Sequence, residues 1–155
     1  MPATFRTDDS QSNAYARFPV QNIQKIVTFN SSNFATPQLI LTGETTVLGT
    51  RVSKIIVTTN DTLDGQVQFF LHNGTSLSTL PFAFDGIPAL SGSGLDPTKP
   101  AINCLRSVSF EQLTDLDNNG NPFFMLQVGY TIYARITNTI SSLKTIQIIT
   151  WADDY

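Results

Sequence analysis

Short runs rich in β-branched and aromatic residues alternate with turn clusters along this chain, and within the best of them apolar and polar positions alternate. Alternation with period two puts one face of a strand on a core and the other toward solvent or a partner. No apolar stripe persists at helical spacing, and strong helix formers are sparse, with glutamate only at Glu44 and Glu111. The best-patterned segments predict strands at 25–30 (KIVTFN), 38–41 (QLIL, after Pro37) and 52–60 (VSKIIVTTN). In the last of these, Ile55 and Val57 face one way and Lys54, Ile56 and Thr58 the other. Gly65 follows a DTLDG turn, and Val67, Phe69 and Leu71 then alternate with Gln66, Gln68 and Phe70 up to an Asn73-Gly74 hairpin turn. A strand pattern resumes over 102–110, and three further strands follow the turn LTDLDNNGNP: FFMLQVG, YTIYARIT and KTIQIITW. Ile132, Ala134 and Ile136 share one face of the second, and Ile146 and Ile148 share a face of the third.

Two stretches break the pattern. Residues 1–24 have no clean period and read as an N-terminal arm. Residues 81–100 are rich in Pro, Gly and Ser and read as the longest loop. The expectation is an all-β protein: a single β-sandwich or jelly-roll-like domain over 25–155, with an arm over 1–24. About seven to nine strands at roughly 8–12-residue spacing fit that class.

Composition narrows the partners. Charged residues make up only 14% of the 155, against about 25% in soluble domains generally, and Thr, Ser, Asn and Gln fill the deficit. Such a surface suits a protein packed against neighbours, and equally an ordinary extracellular β-domain. The net charge is −3 and the nine basic residues are scattered singly, which argues against nucleic acid as a partner. No run is long and apolar enough to span a bilayer, and the first 24 residues carry no apolar core of a secretory signal. A lone cysteine, Cys104, precludes an intrachain disulfide and any multi-cysteine metal site.

Candidate chemistry is thin. Asp115-x-Asp117-x-Asn119-Gly120 matches the front half of a calcium-binding loop, but the closing glutamate is replaced by Leu126. A polar Asx-type turn is the better reading. His72 is the only histidine, stands directly before the Asn-Gly turn, and has no nucleophile elbow to serve. Asp8-Asp9 and Asp153-Asp154 read as solvated pairs, Cys104 as a small buried thiol, and Gly92-Ser93-Gly94 as too short to cradle phosphate. Tyr130, Tyr133, Trp151 and Tyr155 gather in the C-terminal third, where they serve as core or subunit interface, or stack sugar rings if exposed together. No catalytic, cofactor-binding or metal-binding residue is assigned, and the chain reads as a non-enzyme without cofactors.

The segment 120–155 resembles the C-terminal region of small tailed-phage proteins that decorate or cement the capsid. The matching residues are Gly120-Asn121-Pro122-Phe123, Gly129, Ala134-Arg135-Ile136-Thr137, Lys144-Thr145-Ile146 and Asp154-Tyr155. The segment from Val52 to Ser76 is similar in its order of strand, Thr-rich turn, strand and Asn-Gly turn. Trp151-Ala152 departs from the pattern, where small residues are commoner. The resemblance implies a structural virion protein, made in the host cytoplasm and bound to the major capsid protein on the outer surface of a bacteriophage head. It also implies a homo-oligomer, most often a homotrimer. On this reading the terminal strand leaves residues 153–155 at a sheet edge facing a neighbour. The alternative is a carbohydrate-binding β-sandwich module on a phage fibre or secreted enzyme, with an exposed aromatic platform on which Tyr133 and Trp151 would be the first residues to test. A third reading, a hydrolase, would need a polar cleft around His72 or a carboxylate pair.

Overall fold

Alternating residues of this kind bury one face only if two sheets close on each other. The computed structural model describes residues 21–43, 49–87 and 102–154. Within the described residues ten strands run β1 Gln21–Phe29, β2 Gln38–Thr42, β3 Thr50–Thr59, β4 Gly65–His72, β5 Ala83–Ile87, β6 Ile102–Asn103, β7 Asp115–Leu116, β8 Pro122–Leu126, β9 Thr131–Ile136 and β10 Ile146–Asp154. The front sheet has the order β1-β10-β3-β8-β7, with β6 also pairing β3, and the back sheet has the order β2-β9-β4-β5. All pairings are antiparallel.

The pairs are nested. β4 pairs β5, β3 pairs β8, β2 pairs β9 and β1 pairs β10. Successive pairs alternate between the two sheets, as if one long antiparallel ribbon had been wound across both. That is a jelly roll, one of the two architectures expected.

The inward faces meet in one core. β9 contributes Ile132, Ala134 and Ile136, all fully buried, and β10 contributes Ile146, Ile148 and Ala152. Ile55 lies in the core and Val57 packs against it, while Lys54 is exposed, as their spacing predicts. β4 follows the predicted alternation with one addition. Phe70 points outward yet is buried, and the Arg135 guanidinium lies over its ring at 5.2 Å.

Four expectations need correcting. First, strand pairing starts at Gln21, so residues 21–24 of the expected arm belong to β1, and 1–20 lie outside the described residues. Second, 83–87 of the expected long loop form β5, paired with β4; residues 88–101 lie outside the described residues. Third, the strand expected over 102–110 is only the two-residue β6, followed by a 3-10 turn at Cys104–Arg106. That irregular segment is pinned by Leu105 and Phe110, whose rings and branches the core absorbs; Phe110 meets Phe69 edge-on at 5.2 Å. Fourth, β10 is not an edge. It lies between β1 and β3, and Asp154 is buried, accepting a hydrogen bond from the Thr50 hydroxyl. Tyr155 lies outside the described residues.

A second buried acid ties two loops together. Asp61 accepts from the Ser141 amide at 2.6 Å, the Ser141 hydroxyl at 2.8 Å and the Leu63 amide at 3.2 Å. Burial alone would raise its pKa, but the Ser141 bonds and then the Leu63 and Thr62 amides outweigh it and hold the carboxyl below the usual range. A lowered folded-state pKa stabilises the fold above the ordinary carboxylate range, and that stability is lost as pH falls through the folded value. Asp61→Asn should therefore cost about 2–3 kcal/mol near neutral pH. The gap from the parent should shrink toward about pH 3; urea unfolding at the two pH values checks it, and a pH-independent gap would contradict the assignment.

Candidate functional site

The outer face of the front sheet is built row by row. Register places Ile26 beside Ile149 and Ile149 beside Ile56, an apolar row crossing β1, β10 and β3. Ile26 is 57% exposed, and Ile149 and Ile56 are half-buried. Thr28, Gln147 and Thr58 form the next row on one side, and Gln24, Trp151 and Lys54 on the other. An apolar row framed mainly by uncharged polar side chains has the make-up of an interface core with its rim.

A β-bulge interrupts this face at β3. Trp151 pairs with Lys54 and Ala152 with Val52, so Ser53 is the extra residue. In a regular strand, residues three apart point to opposite sides. The bulge turns Arg51 and Lys54 to the same outer side, while Val52 and Ile55 are both buried inside. β3 also changes partner here, pairing with β8 at Thr50, Arg51 and Val52 and with β6 at Ile56 and Val57. Between the two partners the Asn103 side chain accepts from the Ile55 amide at 3.1 Å.

The gap opens a polar cleft of about 500 Å³, lined by Arg51, Lys54, Arg106, Asn103, Asp117 and Asn121 among others. Arg51 lies over the Phe123 ring at 4.3 Å and pairs with Asp117 at 3.3 Å. Asp117 also organises the neighbouring turn, accepting from the Asn119 amide at 2.8 Å and the Asn121 amide at 2.9 Å, with Gly120 at φ 76°. The Asn121 amide above all, then Asn119, the Asn121 side chain and Arg51, hold its carboxyl below the usual range. This is the Asx-type turn read from the DxDxNG motif, and Asp115 lies apart in β7. Among the described residues no group of three or more His, Cys, Asp and Glu gathers as a metal site would need. An apolar groove of about 250 Å³ lined by Leu71, Phe82, Leu113, Phe124 and Tyr130 opens at the end of the sandwich, below the roughly 300 Å³ where small-molecule sites begin.

The remaining sequence candidates are dispersed. His72 ends β4, its Nδ1 accepts from the Gly74 amide at 3.0 Å, and its ring leans on Tyr133 at 5.9 Å. Tyr133 alternates with buried Ile132 and Ala134 on the back sheet, and Trp151 alternates with buried Thr150 and Ala152 on the front sheet. The two rings therefore face outward on opposite sides of the sandwich. Tyr133 and Trp151 therefore do not share one aromatic platform. Tyr130 packs against the core. Asp153 is half-buried on the outer face and Asp154 is buried, so they are not a solvated pair; Asp8 and Asp9 lie outside the described residues. Sequence reasoning did not find the cleft, and the three-residue spacing of buried Val52 and Ile55 in one strand is the signal that points to its bulge.

No protein-family model matches the chain, and no curated protein matches it significantly.

Cys104 is the buried thiol expected. Burial pushes its pKa far up, and the Asp85 carboxylate beside it adds to the rise. Only the thiolate is a competent nucleophile. At about pH 8 a disulfide reagent such as DTNB should leave the folded protein essentially unlabelled and label it fully in denaturant; rapid labelling of the folded form would place the thiol elsewhere.

Proposed function

We propose that the chain is a structural virion protein, a decoration or cement protein that seats on the outer surface of a tailed-phage head and stabilises it. The reading is of a non-catalytic protein whose partner is the major capsid protein. The observation that carries it is the in-register row of Ile26, Ile149 and Ile56 on the outer face of a rigid sheet. Apolar side chains presented in line on paired strands lose little entropy on docking, because the sheet has already ordered them. Uncharged rows on one flank avoid the desolvation cost that buried charges would bring. Repeated over many equivalent positions on a particle, contacts of modest individual strength add up.

The resemblance of 120–155 and of the Val52-to-Ser76 segment to capsid-decorating proteins supports the same reading and adds self-association, as a trimer, to it. Jelly rolls serve as both virus-capsid and lectin domains, so architecture alone does not choose between them. The separation of Tyr133 from Trp151 on opposite faces weighs against the sugar-binding alternative in the form that needs both rings. A hydrolase is less favoured, since His72 Nδ1 is occupied and Cys104 is buried.

Co-sedimentation with capsids of the source phage, stripped of this protein, tests the proposal. The parent chain should saturate at a fixed number of copies per particle. Ile26→Lys, at an exposed position, should bind at least about tenfold more weakly. Deletion of residues 1–20, which stops short of β1, reports separately on the arm. Absence of saturable binding at micromolar parent protein would sink the decoration role.

A further inference from the structure

We infer that the cleft beside the β3 bulge is a carboxylate-binding site that seats an acidic segment of a protein partner. It goes beyond the decoration reading, since it does not depend on what kind of particle that partner belongs to.

Charge gives the first reason. The chain is acidic overall at −3, yet Arg51, Lys54 and Arg106 converge on this one cleft. A positive concavity on an acidic protein attracts anions and repels further copies of the protein's own acidic surface. Asp117 is the carboxylate among the cleft residues, and its oxygens are engaged by the Asn119 and Asn121 amides, the Asn121 side chain and Arg51. Among the described residues, Lys54 and Arg106 have no carboxylate within ion-pair distance; Arg106 donates only to the Asn121 side-chain oxygen at 3.2 Å. The cleft therefore holds more donor capacity than its own acid satisfies.

Preorganisation gives the second. Phe123 beneath and Asp117 beside Arg51 hold the guanidinium in place, so little side-chain entropy remains to be lost when a ligand arrives. The bulge itself aligns Lys54 with Arg51 on the outer face.

Shape selects a polypeptide over a free ion. About 500 Å³ is room for several side-chain groups, far more than one phosphate fills. Ile56 lines the cleft and is also the last member of the apolar row, so the two surfaces are continuous. A segment carrying Asp or Glu beside aliphatic residues matches both at once.

The test titrates the ¹⁵N-labelled full chain at low salt with the peptide Glu-Ile-Glu-Ile-Glu and, separately, with inorganic phosphate. The peptide should shift the amides of Ser53, Lys54, Asn103 and Arg106. Lys54→Gln and Arg106→Gln, both at exposed positions, should each weaken it about fivefold, and Lys144→Gln, remote from the cleft, should not. Phosphate should bind at least about tenfold more weakly than the peptide. No shift at these amides with millimolar peptide would overturn the site. Equal weakening by Lys144→Gln would overturn it too, as diffuse attraction, and equal affinity for phosphate would overturn the claim of a polypeptide ligand. Peptide binding that survives in Ile26→Lys, whatever that variant does on capsids, separates this site from the decoration role.

Discussion

The structure depends on the double pairing of β10. Nine residues of this strand pair with β1 on one side and with β3 on the other, so every backbone donor and acceptor along it is placed in a sheet. Its inward side is a continuous row of Ile146, Ile148, Thr150, Ala152 and Asp154. Three apolar members build core, and the two polar ones each reach a partner. The Thr150 hydroxyl donates to the Ile40 carbonyl at 3.1 Å, linking the front sheet to β2 of the back sheet, and Asp154 takes the Thr50 hydroxyl. Buried polar groups satisfied in this way fix register, because a slip by one residue would leave them unpaired in the core. The same topology sets a kinetic demand. β1 and β10 are separated by more than a hundred residues of chain, and pairing so remote is slow because loop closure precedes any reward. Among the described residues β1 stands at one end of the front sheet. Lys25 pairs opposite the buried Thr150 and so points inward from that end, with its pKa lowered by burial. A lysine so placed discourages addition of a further strand, which favours docking on the outer face over edge-to-edge association.

Alternation made the long strands legible. Ile132, Ala134 and Ile136, or Ile55 and Val57, can face a core only if their intervening neighbours face out, and the structure keeps that assignment. What alternation does not carry is pairing. The C-terminal strand was expected at an edge, whereas the wound ribbon brings β1 and β3 to its two sides. Asp154 looked solvated for the same reason, since its hydrogen-bond partner Thr50 stands more than a hundred residues earlier. β5 was absorbed into a Pro- and Gly-rich stretch because five residues with Asp85 and Gly86 among them carry little strand signal. Phe110 misled in the opposite direction. Its burial anchors an irregular segment rather than a strand, with the Phe69 ring as its support.

The candidate surfaces divide along the same line. The Ile56 member of the apolar row was legible as an outward residue, but its alignment with Ile149 and Ile26 exists only after the sheet has formed. The aromatic residues illustrate the converse. Tyr133 and Trp151 are neighbours in composition, yet β9 and β10 belong to different sheets, so the fold sends their rings to opposite sides.

The bulge at Ser53 joins core and surface most directly. Val52 and Ile55 are both fully buried though three residues apart, and an unbroken strand would send one of them into water. At about 25 cal/mol per Å², exposing either side chain forfeits roughly 1.5–3 kcal/mol, and the bulge keeps both inside. The Ser53 hydroxyl donates to the Trp151 carbonyl at 3.2 Å. The core therefore selects the bulge, and the outer face inherits its consequence: Arg51 and Lys54, which regular pleating would separate, stand together over the gap between β8 and β6. A cationic cleft on an acidic jelly roll thus follows from the spacing of two buried aliphatic residues beneath it.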